Sequence, residues 1–104
     1  MKSAVIEKPG AIKVHEHEQH TVRRPDEVLV KVAACGICGT DVHIYHGEYL
    51  GSYPMTPGHE FSGVVVAVGE QVTRFRPGAR VAVEPNICCD NCTACLNNRQ
   101  NFCE

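Results

Sequence analysis

At 104 residues the chain has the length of one domain, and its formal net charge of −2 excludes the basic face that nucleic-acid binding demands. The longest apolar run, GVVVAVG at residues 63–69, is too short to span a bilayer, and the opening MKSAVIEKPG lacks the sustained apolar core of a secretory signal. These features lead to the expectation of a cytoplasmic protein with neither a membrane nor a nucleic-acid partner, whose thiols stay reduced; an odd count of seven cysteines also leaves one over in any disulfide framework.

In chain order, Pro9-Gly10 marks the first turn, and the polar HEHEQHTVRRPDE of residues 15–27 reads as a solvated hairpin or loop. EVLVKVAACGIC (27–38) carries Val28, Val30 and Val32 at period two and predicts a strand. GTDVHIYHG (39–47) predicts a short helical turn that Gly47 ends. Pro57-Gly58 is a second turn, SGVVVAVG (62–69) a strand, Pro77-Gly78 a third turn and ARVAVEP (79–85) a last strand. Several short strands at close spacing predict a mainly β fold, a small barrel or sandwich. There is no repeat, low-complexity tract or linker, so residues 1–104 form one domain.

The chain closes on EPNICCDNCTACLNNRQNFCE, with five cysteines in its last 21 residues. Cys89, Cys92, Cys95 and Cys103 form C-x2-C-x2-C-x7-C, a spacing that lets one loop, residues 85–104, wrap four thiolates around one tetrahedral zinc. Iron–sulfur ligation fits the first three cysteines, but the fourth comes too late and lacks the proline of the ferredoxin run. Unligated thiols are the third reading. Cys88 stands outside the repeat, because adjacent side chains diverge and cannot both serve one small ion.

A second constellation lies in CGICGTDVHIYHGEYLGSYPMTPGHEFSG. Cys38 ends a strand, and His59-Glu60 follows the Pro57-Gly58 turn. Thiolate, imidazole and carboxylate are the donors of open catalytic zinc sites, in which one position is left for water or substrate. Taken singly, a Cys is more often buried packing and a His more often a satisfied surface group.

CGICGTDVHIYHG, PGHEFSGVVVAVGEQVTRFRPGARV and the four-cysteine loop together resemble the amino-terminal, GroES-like catalytic domain of zinc-containing medium-chain alcohol and polyol dehydrogenases. The resemblance covers nearly the whole chain; within the family, the VEP before the loop is most similar to the sorbitol, threonine and related sugar-alcohol branch. It implies a GroES-like small barrel with a short helix and a zinc loop, in an NAD- or NADP-dependent enzyme that oxidises an alcohol or polyol and is a homo-oligomer when complete. It further implies that Cys38 and His59 ligate a catalytic zinc, with Glu60 a further ligand or immediate neighbour. Thr40 would supply the hydroxyl beside the substrate oxygen, and His43 the base that passes its proton to solvent. Asp41 would orient a metal-bound histidine, or else serve only as a helix-start carboxylate.

Three positions depart from the family pattern: Ala79 stands where Asp is usual, Asn98 where Gly is common, and Cys88 where a small or apolar residue is frequent. Asn tolerates a left-handed backbone, so the loop is still expected to close. The G-x-G-x-x-G fingerprint that would cradle a dinucleotide does not occur in these residues, which suggests a fragment that is inactive alone. Two rival classes remain: an iron–sulfur electron-transfer protein, and a zinc-stabilised interaction module in which Cys38 and His59 have no role.

Overall fold

The computed structural model describes residues 1–49 and 51–103, so Glu104 at the end of the expected zinc loop lies outside the described residues. Five strands dominate: β1 (Lys2–Lys8), β2 (Ala11–Glu16), β3 (Val28–Gly36), β4 (Glu60–Val68) and β5 (Arg80–Ala82). A helix α1 (Gly39–His46) follows β3, and the cysteine loop carries a single turn, α2 (Thr93–Leu96), and a 3-10 turn at Gln100–Phe102.

The fold is mainly β, as the strand patterning predicts, but its strands form two antiparallel sheets, β1-β2 and β3-β4-β5, and no closed barrel is formed among the described residues. Closing a barrel requires continuous hydrogen-bonded neighbours around the ring. Here β1 bridges instead to Met55, outside the named strands, where the Ile6 and Met55 backbones exchange hydrogen bonds of 2.8 and 3.0 Å. The predicted last strand is also cut short: β5 ends at Ala82, although the Val83 N–H still donates to the Phe61 carbonyl at 3.0 Å. Pro85, two residues on, has no N–H with which to continue a ladder.

The β1-β2 hairpin is the element that the periodicity does not announce. Its runs are short and charge-rich, and only the Pro9-Gly10 turn signals it; His15 and Glu16, from the segment read as a solvated hairpin or loop, end β2. Strand β1 nevertheless supplies Val5 and Ile6, two of the buried apolar residues, the others being Ile44, Val65, Ala94 and Cys95. Helix α1 forms as predicted, and Gly47 closes it in the left-handed region at φ 80°, where a side chain would be strained.

Residue pairing between β3 and β4 positions the first site. Their register places Gly36 opposite Glu60, so the chain leaving β3 and the chain entering β4 run side by side at one edge. Cys38 sits just beyond the first and His59 just before the second.

Candidate metal centres

Cys38 is the extended N-cap of α1 (φ −92°, ψ 158°), and a ligating atom from each of Cys38, His59 and Glu60 lies within 4.8 Å of the others. Asp41 ties the two strand ends together. Its Oδ2 accepts from the Cys38 N–H at 2.8 Å, its Oδ1 accepts from the Gly58 N–H at 3.2 Å, and the same Oδ1 lies 3.6 Å from His59 Nδ1. Asp41 thus satisfies the helix-start N–H of Cys38 and also stands beside the histidine ring. Gly58 makes this approach with φ 100°, and a Cβ there would come 2.8 Å from Cys35 Sγ.

Thr40 Oγ1 lies 3.7 Å from Cys38 Sγ. Thr40 lines an open pocket of about 370 Å³ together with Asp41, Ile44, Tyr49, Met55 and His59. His43, one turn further along α1, is not among the lining residues. Its Nδ1 lies 2.5 Å from Glu48 Oε2, with both side chains more than half exposed, and this hydrogen bond holds the Glu48 carboxyl below its ordinary range. The structure thus separates the two predicted proton carriers, one facing the pocket and the other facing solvent. Glu48 is a partner that no periodicity in the sequence indicates.

The second cluster is built almost wholly from local geometry. Cys92 caps α2, Cys95 is buried within it, and the Sγ atoms of Cys89, Cys92, Cys95 and Cys103 all lie within 4.8 Å of one another. Cys89 Sγ and Cys95 Sγ are 3.9 Å apart, far beyond a disulfide bond of about 2.05 Å. A tetrahedron with Zn–S bonds of about 2.3 Å has edges of about 3.8 Å, so the donors fit one tetrahedral ion, whereas a cluster of several irons would hold its thiolates further apart.

The electrostatics of the loop also suit a cation. The N–H groups of Asn91 and Cys92 donate to Cys89 Sγ at 3.4 and 3.2 Å and push its thiol below the ordinary value. Burial pushes the Cys95 thiol up to about 12. One thiolate is thus favoured and its neighbour resisted, until a positive ion compensates both the burial and the mutual repulsion.

The departures at Asn98 and Ala79 are absorbed by the backbone. Asn98 takes the left-handed conformation at φ 56° and its N–H donates to the Cys95 carbonyl at 3.0 Å, so α2 closes without glycine. At the Pro77-Gly78 turn the Gly78 N–H donates to the Val65 carbonyl at 2.8 Å and the Ala79 N–H to the Arg76 carbonyl at 3.1 Å, so the turn closes without a carboxylate.

The profile of the alcohol dehydrogenase GroES-like domain matches residues 24–104, a span that contains both clusters. The chain belongs to this GroES-like domain family. Sorbitol dehydrogenase from Bacillus subtilis (strain 168) is 43% identical over 107 aligned positions, covering 99% of this chain and 30% of that protein. Among solved structures, galactitol-1-phosphate dehydrogenase from Escherichia coli superposes with a TM-score of 0.92 at 39% identity, over 99% of this chain and 30% of that one. An alcohol dehydrogenase (rspB) from E. coli CFT073, solved in complex with NADH, has a TM-score of 0.78 and 44% identity over 99% and 30% of the two chains. This GroES-like domain chain therefore spans about 30% of the length of the relatives that it matches. No helix among its described residues is long and apolar enough to cross a membrane.

Proposed function

We propose that the chain is the amino-terminal, zinc-binding part of a cytoplasmic NAD- or NADP-dependent alcohol or polyol dehydrogenase, which oxidises a secondary alcohol or sugar alcohol to the carbonyl and is a homo-oligomer when complete. The observation that carries this reading is the convergence of Cys38, His59 and Glu60 donor atoms within 4.8 Å, beside a pocket that Thr40 also lines. On this reading residues 1–104 are one domain and residues 85–104 its structural zinc loop, held by Cys89, Cys92, Cys95 and Cys103.

Cys38 and His59, with Glu60 as a third donor or close neighbour, would hold the catalytic zinc. That ion supplies a Lewis acid for chemistry at a carbon bearing oxygen. Asp41 keeps the strand end at Cys38 and the turn at Gly58 in register, and its Oδ1, 3.6 Å from His59 Nδ1, would orient the His59 ring. Thr40, whose hydroxyl can donate and accept at once, takes up the substrate proton at Oγ1 as it releases its own. His43 receives a proton at the solvent side of α1, where Glu48 holds its ring through Nδ1. His43 lies outside the pocket lining, so we assign the step from Thr40 to His43 to an intervening hydroxyl or water.

Metal analysis of the purified chain, paired with alcohol oxidation by the complete protein, tests the proposal. Zinc in the chain, and loss of both NAD(P)-dependent turnover and one zinc equivalent in the complete Cys38→Ser protein, support it. Iron with broad visible absorbance would instead establish an electron-transfer protein. Full activity without Cys38 would establish that the reaction occurs elsewhere.

A further inference from the structure

Cys88 is the thiol that the four-cysteine repeat leaves over, and its surroundings are those of a donor. Cys88 Sγ lies 3.2 Å from Asp90 Oδ1, and ligating atoms of Cys88, Asp90 and Cys95 all lie within 4.8 Å of one another. Cys95 thus belongs to two donor sets, which overlap at one buried sulfur. Cys88 and Cys89 are adjacent in sequence yet fall in different sets. Asp90 has a left-handed backbone at φ 55°, a conformation that Asp tolerates, and the turn there folds its carboxylate back against Cys88.

We propose that Cys88 and Asp90 form a hand-over position for the metal of the zinc loop, a second and weaker site that shares Cys95 with the four-thiolate site. The inference rests on the reading of that loop as a zinc site. Four thiolates around one tetrahedral zinc leave no open position, so metal leaves such a site only when a ligand is displaced. Cys88 and then Asp90 take the places of Cys89, Cys92 and Cys103 while Cys95 keeps hold. The proton that Cys88 gives up passes, directly or through solvent, to one displaced thiolate, and the other two take protons from solvent as they leave, so the donor set falls from four negative charges to three and one position opens. Two sulfurs and one oxygen suit zinc less well than four sulfurs, so the four-thiolate set is occupied at equilibrium. The weaker set keeps an open coordination position, where an external chelator or donor can attack.

Zinc release from the 104-residue chain to 4-(2-pyridylazo)resorcinol tests the proposal, on a Cys38→Ser background so that only the metal of the loop is followed. Cys88→Ser and Asp90→Asn should each slow release and uptake by about tenfold, the scale on which groups just beyond the ligands act on a metal. Zinc affinity at equilibrium and Tm should stay as in the parent; Asn also retains tolerance for the left-handed backbone. Release at the parent rate in both variants overturns the hand-over position. Slowing accompanied by a matching loss of Tm also overturns it, because the Cys88–Asp90 contact would then be only a turn brace. With Co²⁺ as probe, the combined Cys89→Ser, Cys92→Ser, Cys103→Ser variant should still bind metal through thiolate, and adding Cys88→Ser should abolish the thiolate-to-metal absorption. No binding by the folded combined variant refutes the shared site; if that variant does not fold, the single-variant release rates decide. A parent loop that holds no zinc would overturn the four-thiolate reading as well, whereas equal release rates from zinc-loaded chains would overturn the hand-over alone.

Discussion

Removal of the Asp41 carboxylate should show how the first metal cluster is assembled. Asp41→Ala deletes two charge-assisted hydrogen bonds at once, from the Cys38 N–H at 2.8 Å and the Gly58 N–H at 3.2 Å, and removes the group facing His59. A hydrogen bond to a charged group contributes about 1.5–3 kcal/mol. The Asp41 side chain is only 12% exposed, so water compensates the orphaned N–H groups only in part, and the combined cost is about 2–4 kcal/mol. For a domain of this size that lowers Tm by roughly 10 °C or more. Asp41→Asn keeps one acceptor oxygen and should lose about half as much. Thermal unfolding followed by circular dichroism, with zinc content measured on the same samples, reads both consequences: the alanine variant should melt earlier and retain less metal at Cys38 and His59. An alanine variant with the wild-type Tm and wild-type zinc content would refute the claim that Asp41 joins the two strand ends.

Cys92→Ser should lose the zinc of the loop and much of the order of residues 85–104, since metal binding to such sites is worth on the order of 10 kcal/mol of apparent free energy; unchanged metal content and Tm would sink the four-thiolate assignment. In the complete enzyme, His43→Gln should slow alcohol oxidation most below neutral pH, where solvent base is scarce, within roughly the 10²–10⁴-fold range of acid–base catalysis, with zinc content unchanged. A pH–rate profile identical to wild type would remove His43 from the proton path. The isolated chain should hold one zinc firmly against mild chelation, because the loop closes over few residues, and should bind the second more weakly. It should not oxidise ethanol, sorbitol or threonine with NAD, and robust turnover would mean that the cofactor binds within these residues after all.

Features governed by short stretches of chain were legible in the sequence. The four-cysteine loop could be read because its donors are separated by so few residues that contour length alone forces them together, and Asn98 closed its turn for the reason that its residue type suggests. Helix α1, Gly47 and the Pro-Gly turns followed from backbone preferences that act over one or two residues. Tertiary structure decided what depends on register and facing. The pairing of Gly36 with Glu60 brings Cys38 to His59, and a slip of one residue would turn every side chain of β4 to the opposite face. Side-chain direction likewise sends His43 to Glu48 instead of the Thr40 pocket, and aligns Cys88 with Cys95 instead of its sequence neighbour. Among the described residues the strands do not close into a barrel, because closure depends on which edges meet, and alternating valines specify a buried face without naming its partner.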